Sequence, residues 1–310
     1  MHKVLITGGS GMLGSMIVDY LSRNREFHVT ATVRDASFRT GAGAAFEKVH
    51  WEELNVERAN SDQLRRLADR QQWIINAIGI TKPLINERSW TDIERAVKVN
   101  VAFPFELARA AELSGARVLQ IATDCTYSGT RGQYSESATH DPLDVYGKTK
   151  SLGEVRHPRV HHLRCSIIGP EPRDGRFLVS WLLAQPRNAQ VKGYVNHLWN
   201  GVTTLQFAQI CAAIIRENMM LPQLQHVVPR DAVSKAELLG IIARVYGRND
   251  IEIGSVETDT ALDRTLATDN GAVNAAIWAA AGYQDPPTIA AMVRDVAAFD
   301  YRCSLLPFTA

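Results

Sequence analysis

Lys3-Val4-Leu5-Ile6-Thr7-Gly8-Gly9-Ser10-Gly11-Met12-Leu13-Gly14 is the stretch that decides the fold. Lys3–Thr7 is a short apolar run with a β-branched content that reads as a buried strand. From Met12 to Ser22 the apolar residues Leu13, Met16, Ile17 and Leu21 recur at helical spacing. Between strand and helix lie four glycines, Gly8, Gly9, Gly11 and Gly14. Glycines here permit a tight turn, close approach of backbone N–H groups to a pyrophosphate, and close packing of helix on strand. The helix N-terminus adds a partial positive charge aimed at the phosphates. A lone glycine pattern is weak, but one placed between a buried strand and an amphipathic helix points to a dinucleotide. Thr7, Gly8, Gly9, Ser10, Gly11, Met12, Leu13 and Gly14 are therefore the candidate phosphate-binding residues. Gly9, Gly11 and Gly14 fit G-x-G-x-x-G, and Gly8, Gly11 and Gly14 fit G-x-x-G-x-x-G.

Outward from this turn, strands and helices alternate. Phe27–Val33, Trp73–Ile78, Arg117–Thr123 and His162–Ile168 read as strands. Ser61–Arg70, a long stretch from Ser89 to Ser114 closed by Gly115, and Tyr146–Val155 read as helices. The alternation predicts an α/β Rossmann-type fold, a doubly wound parallel sheet with helices on both faces. After Gly169 the turn-rich GPEPRDG marks a boundary. Helical patterns follow at Phe177–Leu183, Leu205–Arg216, Ser234–Val245, Ala272–Ala281 and Thr288–Phe299, with β-like pieces at His226–Val228 and Ile251–Ile253. The expected organisation is a dinucleotide-binding domain over 1–169 and a smaller, mostly helical substrate domain over 170–310, with later segments free to fold back.

Composition narrows the class. Hydrophobic residues make up 45% and charged residues 22% of the 310, and the formal charge is +1. No basic run marks a nucleic-acid or anionic-membrane partner. Cys125, Cys165, Cys211 and Cys303 lack C-x-x-C spacing, which argues against a zinc site or disulfide framework and fits a reducing compartment. No compact carboxylate cluster has metal-ligand spacing, so the sequence names no metal ligands and leaves metal dependence open. The amino terminus enters a strand directly and no apolar run approaches the roughly 20 residues of a membrane span. A soluble cytoplasmic protein is expected, and a homodimer is compatible with that.

The second strand ends Thr32-Val33-Arg34-Asp35. An acid there would bond the ribose 2′-hydroxyl of NAD, whereas a base accommodates the 2′-phosphate of NADP. Arg34 favours NADP(H); Asp35 leaves NAD(H) open, and a solvated Arg–Asp pair is the bland reading.

Tyr146 and Lys150 stand four apart at the start of a helix, on one face. A free phenol has a pKa of about 10 and can donate its proton at neutral pH. A nearby ammonium stabilises the phenolate; lowering the pKa by about 3 units takes roughly 4 kcal/mol of differential interaction. Tyr146 is thus a candidate general acid for a carbonyl receiving hydride. Lys150 would tune it and bond the nicotinamide ribose. Thr123, at the end of the Arg117–Thr123 strand, can offer its hydroxyl to the same oxygen.

With these residues in view, the chain resembles the extended short-chain dehydrogenase/reductases, and within them the dTDP-4-dehydrorhamnose reductase-like group. Thr7–Gly14 resembles the family's cofactor turn. Asn76-Ala77-Ile78-Gly79 resembles its segment beside the cofactor, and Val99-Asn100 its central-helix pair. Ala122-Thr123-Asp124-Cys125-Thr126-Tyr127-Ser128-Gly129 is similar to its strand-end motif. Val145–Glu154 closely matches its active-site helix, and His162-Leu163-Arg164-Cys165-Ser166 its Leu-Arg-Thr-Ser strand.

The resemblance implies a sugar-nucleotide substrate. It places Asn55 near adenine, and Asn76, Ala77, Ile78, Gly79 and Asn100 along the cofactor. It sets Lys82, Asp124, Cys125 and the Asn196–Thr203 segment beside the substrate. Cys125 and Thr126 replace an aromatic and a valine of the group's motif. Ile167 stands where the group often has tryptophan, and Trp199 could supply a substitute ring, or be a core residue.

The reading that follows is an NADP(H)-dependent reductase of a 4-keto deoxysugar nucleotide. Its alternatives are an NAD-retaining epimerase or dehydratase and a non-catalytic cofactor-binding regulatory subunit. A dehydratase would carry Asp-Glu where this chain has Asp124-Cys125. Other residues have two readings each. His161 and His162 fit the start of a strand better than a metal site. His197 is a substrate contact or a solvated loop residue. Arg173 and Arg176 contact a diphosphate or form a charged linker. Cys125 is a reactive thiol only if its pKa is low.

Overall fold

The computed structural model describes residues 1–40, 42–172 and 175–303. In chain order the first half runs β1 (His2–Thr7), α1 (Met12–Ser22), β2 (Phe27–Val33), α2 (Ser37–Thr40), β3 (His50–Glu53), α3 (Ser61–Ala68), β4 (Trp73–Asn76), α4 (Trp90–Val97), α5 (Phe103–Ser114), β5 (Arg117–Ala122), α6 (Val145–Leu152) and β6 (Val160–Arg164). The second half continues with β7 (Ile167–Ile168), α7 (Leu178–Leu183), β8 (Gln190–Tyr194), β9 (His197–Trp199), β10 (Val202–Thr203), α8 (Thr204–Arg216), β11 (Leu224–His226) and β12 (Val233–Ser234). It closes with α9 (Lys235–Val245), β13 (Glu252–Val256), β14 (Leu262–Asp263), α10 (Gly271–Ala280) and α11 (Ile289–Ala298).

Seven strands form one parallel sheet in the order β11-β6-β5-β4-β1-β2-β3. This is the Rossmann-type α/β architecture expected from the alternation of strands and helices. Both sheet faces are covered, which is why β1 reads as a continuous apolar run. Its side chains alternate between two cores. Val4 and Ile6 join Met16 and Ile17 of α1 and Phe207 and Ile210 of α8, whereas Leu5 joins Leu64 of α3 and Phe103 and Leu107 of α5. The chain leaves β1 for β2 and β3 on one side and β4 and β5 on the other. That reversal opens a crevice at the carboxyl ends of β1 and β4, where open α/β sheets bind ligands.

Several elements differ from the sequence reading. β3 was not expected: His-Trp-Glu-Glu carries no apolar run, because an edge strand needs to bury little. The long helix is interrupted by a π-helical turn at Lys98–Ala102. Pro104 sits in the first turn of α5 and has no N–H to return to the Asn100 carbonyl, so the ladder widens and Phe103 N–H reaches Lys98 O instead. The strand expected over His162–Ile168 is two strands, β6 and β7. Beyond residue 169, α8 packs on α1 and β11 extends the large sheet, so parts of the second half complete the first layer. The remainder holds small sheets, β8 with β13 and β9 between β12 and β14, besides its helices. No helix among the described residues is long and apolar enough to cross a membrane.

Candidate active site

The glycine turn lies at the carboxyl end of β1. Gly8 takes φ +80°, and a Cβ there would come within 2.8 Å of Ile78 Cγ1. A Cβ on Gly14 would fall 2.1 Å from the Gly8 carbonyl oxygen, so α1 begins packed against the turn itself. Gly11, the exposed N-cap of α1, makes no side-chain cap, and the first turn has no acid. First-turn N–H groups without a side-chain cap fit an anion, as expected for a phosphate cradle. Thr7 is fully buried and donates to Asn76 Oδ1 at 2.6 Å. Leu13 is buried and Met12 and Ser10 are half-buried.

Asn76 is fully buried too. Its Oδ1 also accepts Ile78 N–H (3.1 Å) and its Nδ2 donates to Gln120 Oε1 (2.8 Å). It shapes the 76–79 segment from beneath the sheet edge, leaving half-buried Ala77 and Ile78 and exposed Gly79 along the crevice. Asn100 likewise clamps: its side chain exchanges two hydrogen bonds with the Ile80 backbone and donates to Thr149 Oγ1 at 3.1 Å. Both asparagines therefore hold the crevice walls in place.

At the end of β2, Arg34 is exposed, while Asp35 Oδ1 accepts Ser37 N–H at 2.8 Å and caps the following turn. Asn55, just after β3, accepts Glu57 N–H at 3.0 Å and lines a cavity of about 230 Å³ with Glu53, Arg58 and Gln63.

The chemical groups meet where β5 ends. Asp144 caps α6 by accepting Gly147 N–H at 2.7 Å. A Cβ on Gly147 would lie 2.2 Å from the Cys125 carbonyl, so the helix start abuts the turn that follows Thr123. Thr123 Oγ1 accepts Cys125 N–H and donates to Asp124 Oδ1, each at 3.2 Å, and Tyr146 is close enough for its phenol to feel the Thr123 hydroxyl. Lys150 is buried beneath, its Nζ donating to the Ile121 carbonyl at 2.9 Å.

The electrostatics differ from the expected arrangement. Burial pushes the Tyr146 phenol well above its ordinary value, Cys125 adds to this, and the neighbouring Thr123 hydroxyl opposes it. Burial lowers Lys150 to about 8, against the opposing pull of Glu154. Tyr146 is thus held as a proton donor, and the expected depression of its pKa by the lysine is not realised with Nζ engaged on Ile121. Burial, reinforced by Asp124, raises the Cys125 thiol to about 12, so it is not the reactive thiolate that its position allowed.

Other expected contacts divide. Lys82 forms an ion pair with Asp144 at 2.9 Å, at the mouth of α6. Trp199 is only 4% exposed, donates to Ser166 Oγ at 2.8 Å and belongs to the core, so it offers little ring to a ligand. His161 and His162 lie buried in β6, bonded to the carbonyls of Pro222 and Val155. His197 bonds Thr258 Oγ1 at 3.0 Å. Arg176 N–H is held by Glu171 at 2.6 Å, while Arg173 lies outside the described residues. Among the described residues no group of three or more His, Cys, Asp or Glu side chains could hold a metal ion.

Two residues that sequence reasoning missed reach this site from the second half. Burial raises the Asp124 carboxyl, and the positive charges of Arg264 and Lys235 oppose that rise. Lys235 Nζ sits 5.4 Å from the Trp199 ring centroid, and Arg264 Nε donates to the Tyr127 carbonyl at 2.8 Å. Nothing local marked either: Lys235 reads as the first residue of a capped helix, with Ser234 and Glu237 forming the capping box.

A model of the RmlD substrate binding domain family matches residues 1–298. The chain is 29% identical over 210 residues to a dTDP-4-dehydrorhamnose reductase of Aggregatibacter actinomycetemcomitans, covering 66% of this chain and 63% of that protein. It is 29% identical over 153 residues to methionine adenosyltransferase 2 subunit beta of Xenopus tropicalis, covering 49% and 42%. These alignments span less than two thirds of either relative. The fold resembles a solved dTDP-4-dehydrorhamnose reductase of Bacillus anthracis in complex with NADP, with a TM-score of 0.71, 18% identity and coverage of 95% and 98%. Matched along nearly its whole length, the chain belongs to the RmlD substrate binding domain family.

Proposed function

We propose that the protein is an NADP(H)-dependent oxidoreductase of the short-chain dehydrogenase/reductase type, reducing the 4-keto group of a deoxysugar nucleotide such as dTDP-4-dehydrorhamnose. The observation that carries this reading is the meeting of the Thr123 strand end with the start of α6, where Gly147 packs on the Cys125 carbonyl and sets Tyr146 beside Thr123, with Lys150 one helical turn further along α6. Gly8, Gly11 and Gly14 hold the pyrophosphate against the start of α1, and exposed Arg34 receives the 2′-phosphate while Asp35 is engaged in capping its own turn. Bound NADPH supplies hydride to the carbonyl carbon. Thr123 polarises the carbonyl oxygen and Tyr146, kept protonated by burial, gives that oxygen its proton. Lys150 holds the ribose and fixes where the phenol stands relative to it. Lys82, Lys235 and Arg264 supply positive charge on the substrate side, suited to a diphosphate.

A regulatory role, without turnover, is the second reading, favoured by the similarity to methionine adenosyltransferase 2 subunit beta. Titrating the purified protein with NADPH and NADH, then adding 4-keto sugar nucleotides and following nicotinamide oxidation, separates the two. The reductase reading expects tighter NADPH binding, turnover, and loss of the NADPH preference in Arg34→Ala. NADPH binding with no turnover of any 4-keto sugar nucleotide would move the assignment to the regulatory role.

A further inference from the structure

Among the described residues Arg164 is the one large cation whose side chain is buried below 2% exposure, and it sits directly behind the chemical groups. In the sheet register it pairs with Ala122, the residue before Thr123. Its Nη1 donates to the Tyr127 hydroxyl (2.5 Å) and to His226 Nε2 (3.0 Å). Its Nη2 donates to His140 Nε2 (2.8 Å) and to the Glu154 carboxylate.

The imidazoles can accept only if neutral. His226 Nδ1 then donates to the Ala267 carbonyl at 2.8 Å and His140 Nδ1 to Ser151 Oγ at 2.7 Å. Burial and the Arg164 charge lower both histidines. Glu154 is thus the carboxylate that balances the guanidinium. It follows Gly153 at the end of α6, one turn beyond Lys150.

Lys150 stands four residues before Glu154, and its Nζ is held on Ile121 of β5, next to the Ala122 that pairs with Arg164. Glu154 on its own segment attracts the ammonium, Arg164 of β6 repels it, and His162 of β6 is close enough to feel it. The Ile121 carbonyl of β5 holds its Nζ, and Tyr146 shares its helical face. An ammonium taken from water keeps its proton only as far as its neighbours compensate.

We propose that Glu154 and Arg164 are positioning residues for Lys150, their buried pair tying the end of α6 to β6 and so fixing where the Lys150 ammonium sits; this rests on the reading of Lys150 as the cofactor-gripping lysine. Glu154 and Arg164 act on the Lys150 ammonium with opposite sign. Removing Glu154 alone leaves the repulsion, and removing both returns the balance. A pair that served folding alone would have no such sign pattern.

The test is the pH dependence of NADPH affinity, read by fluorescence from pH 6 to 10 in the full-length protein, with circular dichroism confirming the fold. Wild type is expected to lose affinity as Lys150 deprotonates. In Glu154→Gln the loss moves about one pH unit lower. In the double variant Glu154→Gln/Arg164→Met it moves back toward wild type, and Glu154→Asp, which keeps the charge, stays near wild type. Should Glu154→Gln fold poorly, Arg164→Met, which removes only the repulsion, is expected to move the loss to higher pH, and a loss that stays at the wild-type pH overturns the proposal. An unmoved pH position in Glu154→Gln, or an equal loss of affinity at every pH, overturns the proposal while leaving the cofactor assignment standing. Wild type that binds NADPH at no pH overturns both.

Discussion

A Cβ placed on Gly14 would lie 2.1 Å from the carbonyl oxygen of Gly8. The contact is backbone, so it has no flexible end to move aside. Gly14→Ala is expected to push α1 off the turn, costing roughly 1–3 kcal/mol as an overpacked core change does, and to abolish dinucleotide binding. A thermal melt with and without NADPH checks both; a variant that keeps the NADPH-induced rise in Tm contradicts the assignment of the turn.

Tyr146→Phe removes the proton donor and leaves the ring. NADPH binding should persist while turnover falls by at least about 10²-fold, the usual scale of general acid catalysis. Thr123→Val should lower kcat less, because Tyr146 keeps its place on α6. Undiminished kcat in Tyr146→Phe would rule out the acid role.

Lys150 is held at about 8 against an ordinary 10.5. Its folded pKa lies below its unfolded one, so the unfolded chain binds more protons between those values and stability rises with pH across that window. Below pH 8 the buried charge costs about 3 kcal/mol. Lys150→Met should therefore be more stable than wild type at pH 7, by less than that figure because Ile121 O loses its donor. The advantage should shrink between pH 8 and 10.5. Urea unfolding at pH 7 and pH 10 measures it; a constant difference would contradict the shift.

His226 is held at about 4, mainly by burial. A histidine lowered in the folded state is protonated first in the unfolded one, so stability falls as pH drops from about 6.5 toward 4. His226→Asn should flatten that fall. A variant whose Tm declines with pH as steeply as wild type would show that other groups govern acid unfolding.

Arg302 ties the chain end to α1. Its Nε donates to Asp19 Oδ1 at 2.7 Å, and Asp19 is fully buried and also bonded by Arg23. Tyr301 adds a 2.5 Å hydrogen bond to Ser15. Arg302→Ala leaves Arg23 to balance Asp19, so a loss of about 1–3 kcal/mol is expected. Unfolding midpoints in urea report it, and an unchanged midpoint would show that Arg23 alone suffices.

Much of this molecule was legible before folding. Phe27–Val33 is the strand expected, and the helices from Leu178 to Ala298 fall within a residue of their apolar periods at each start. The long 89–114 helix was legible as a helix, yet its π-helical turn was not: the break depends on Pro104 denying Asn100 a partner while Asn100 itself clamps Ile80 and Thr149. β3 stayed hidden because an edge strand can be polar. Trp199 had two readings in the sequence, and packing chose the core.

The sequence by itself determined the glycine turn between β1 and α1 and the Tyr146–Lys150 face of α6, because both are set by spacing within one or two helical turns. Only the tertiary structure decided which charges surround them. Lys235, Arg264, Glu154 with Arg164, and His226 converge on the carboxyl end of β5 from separate segments. It is burial at that meeting point, in a low-dielectric interior, that sets their protonation.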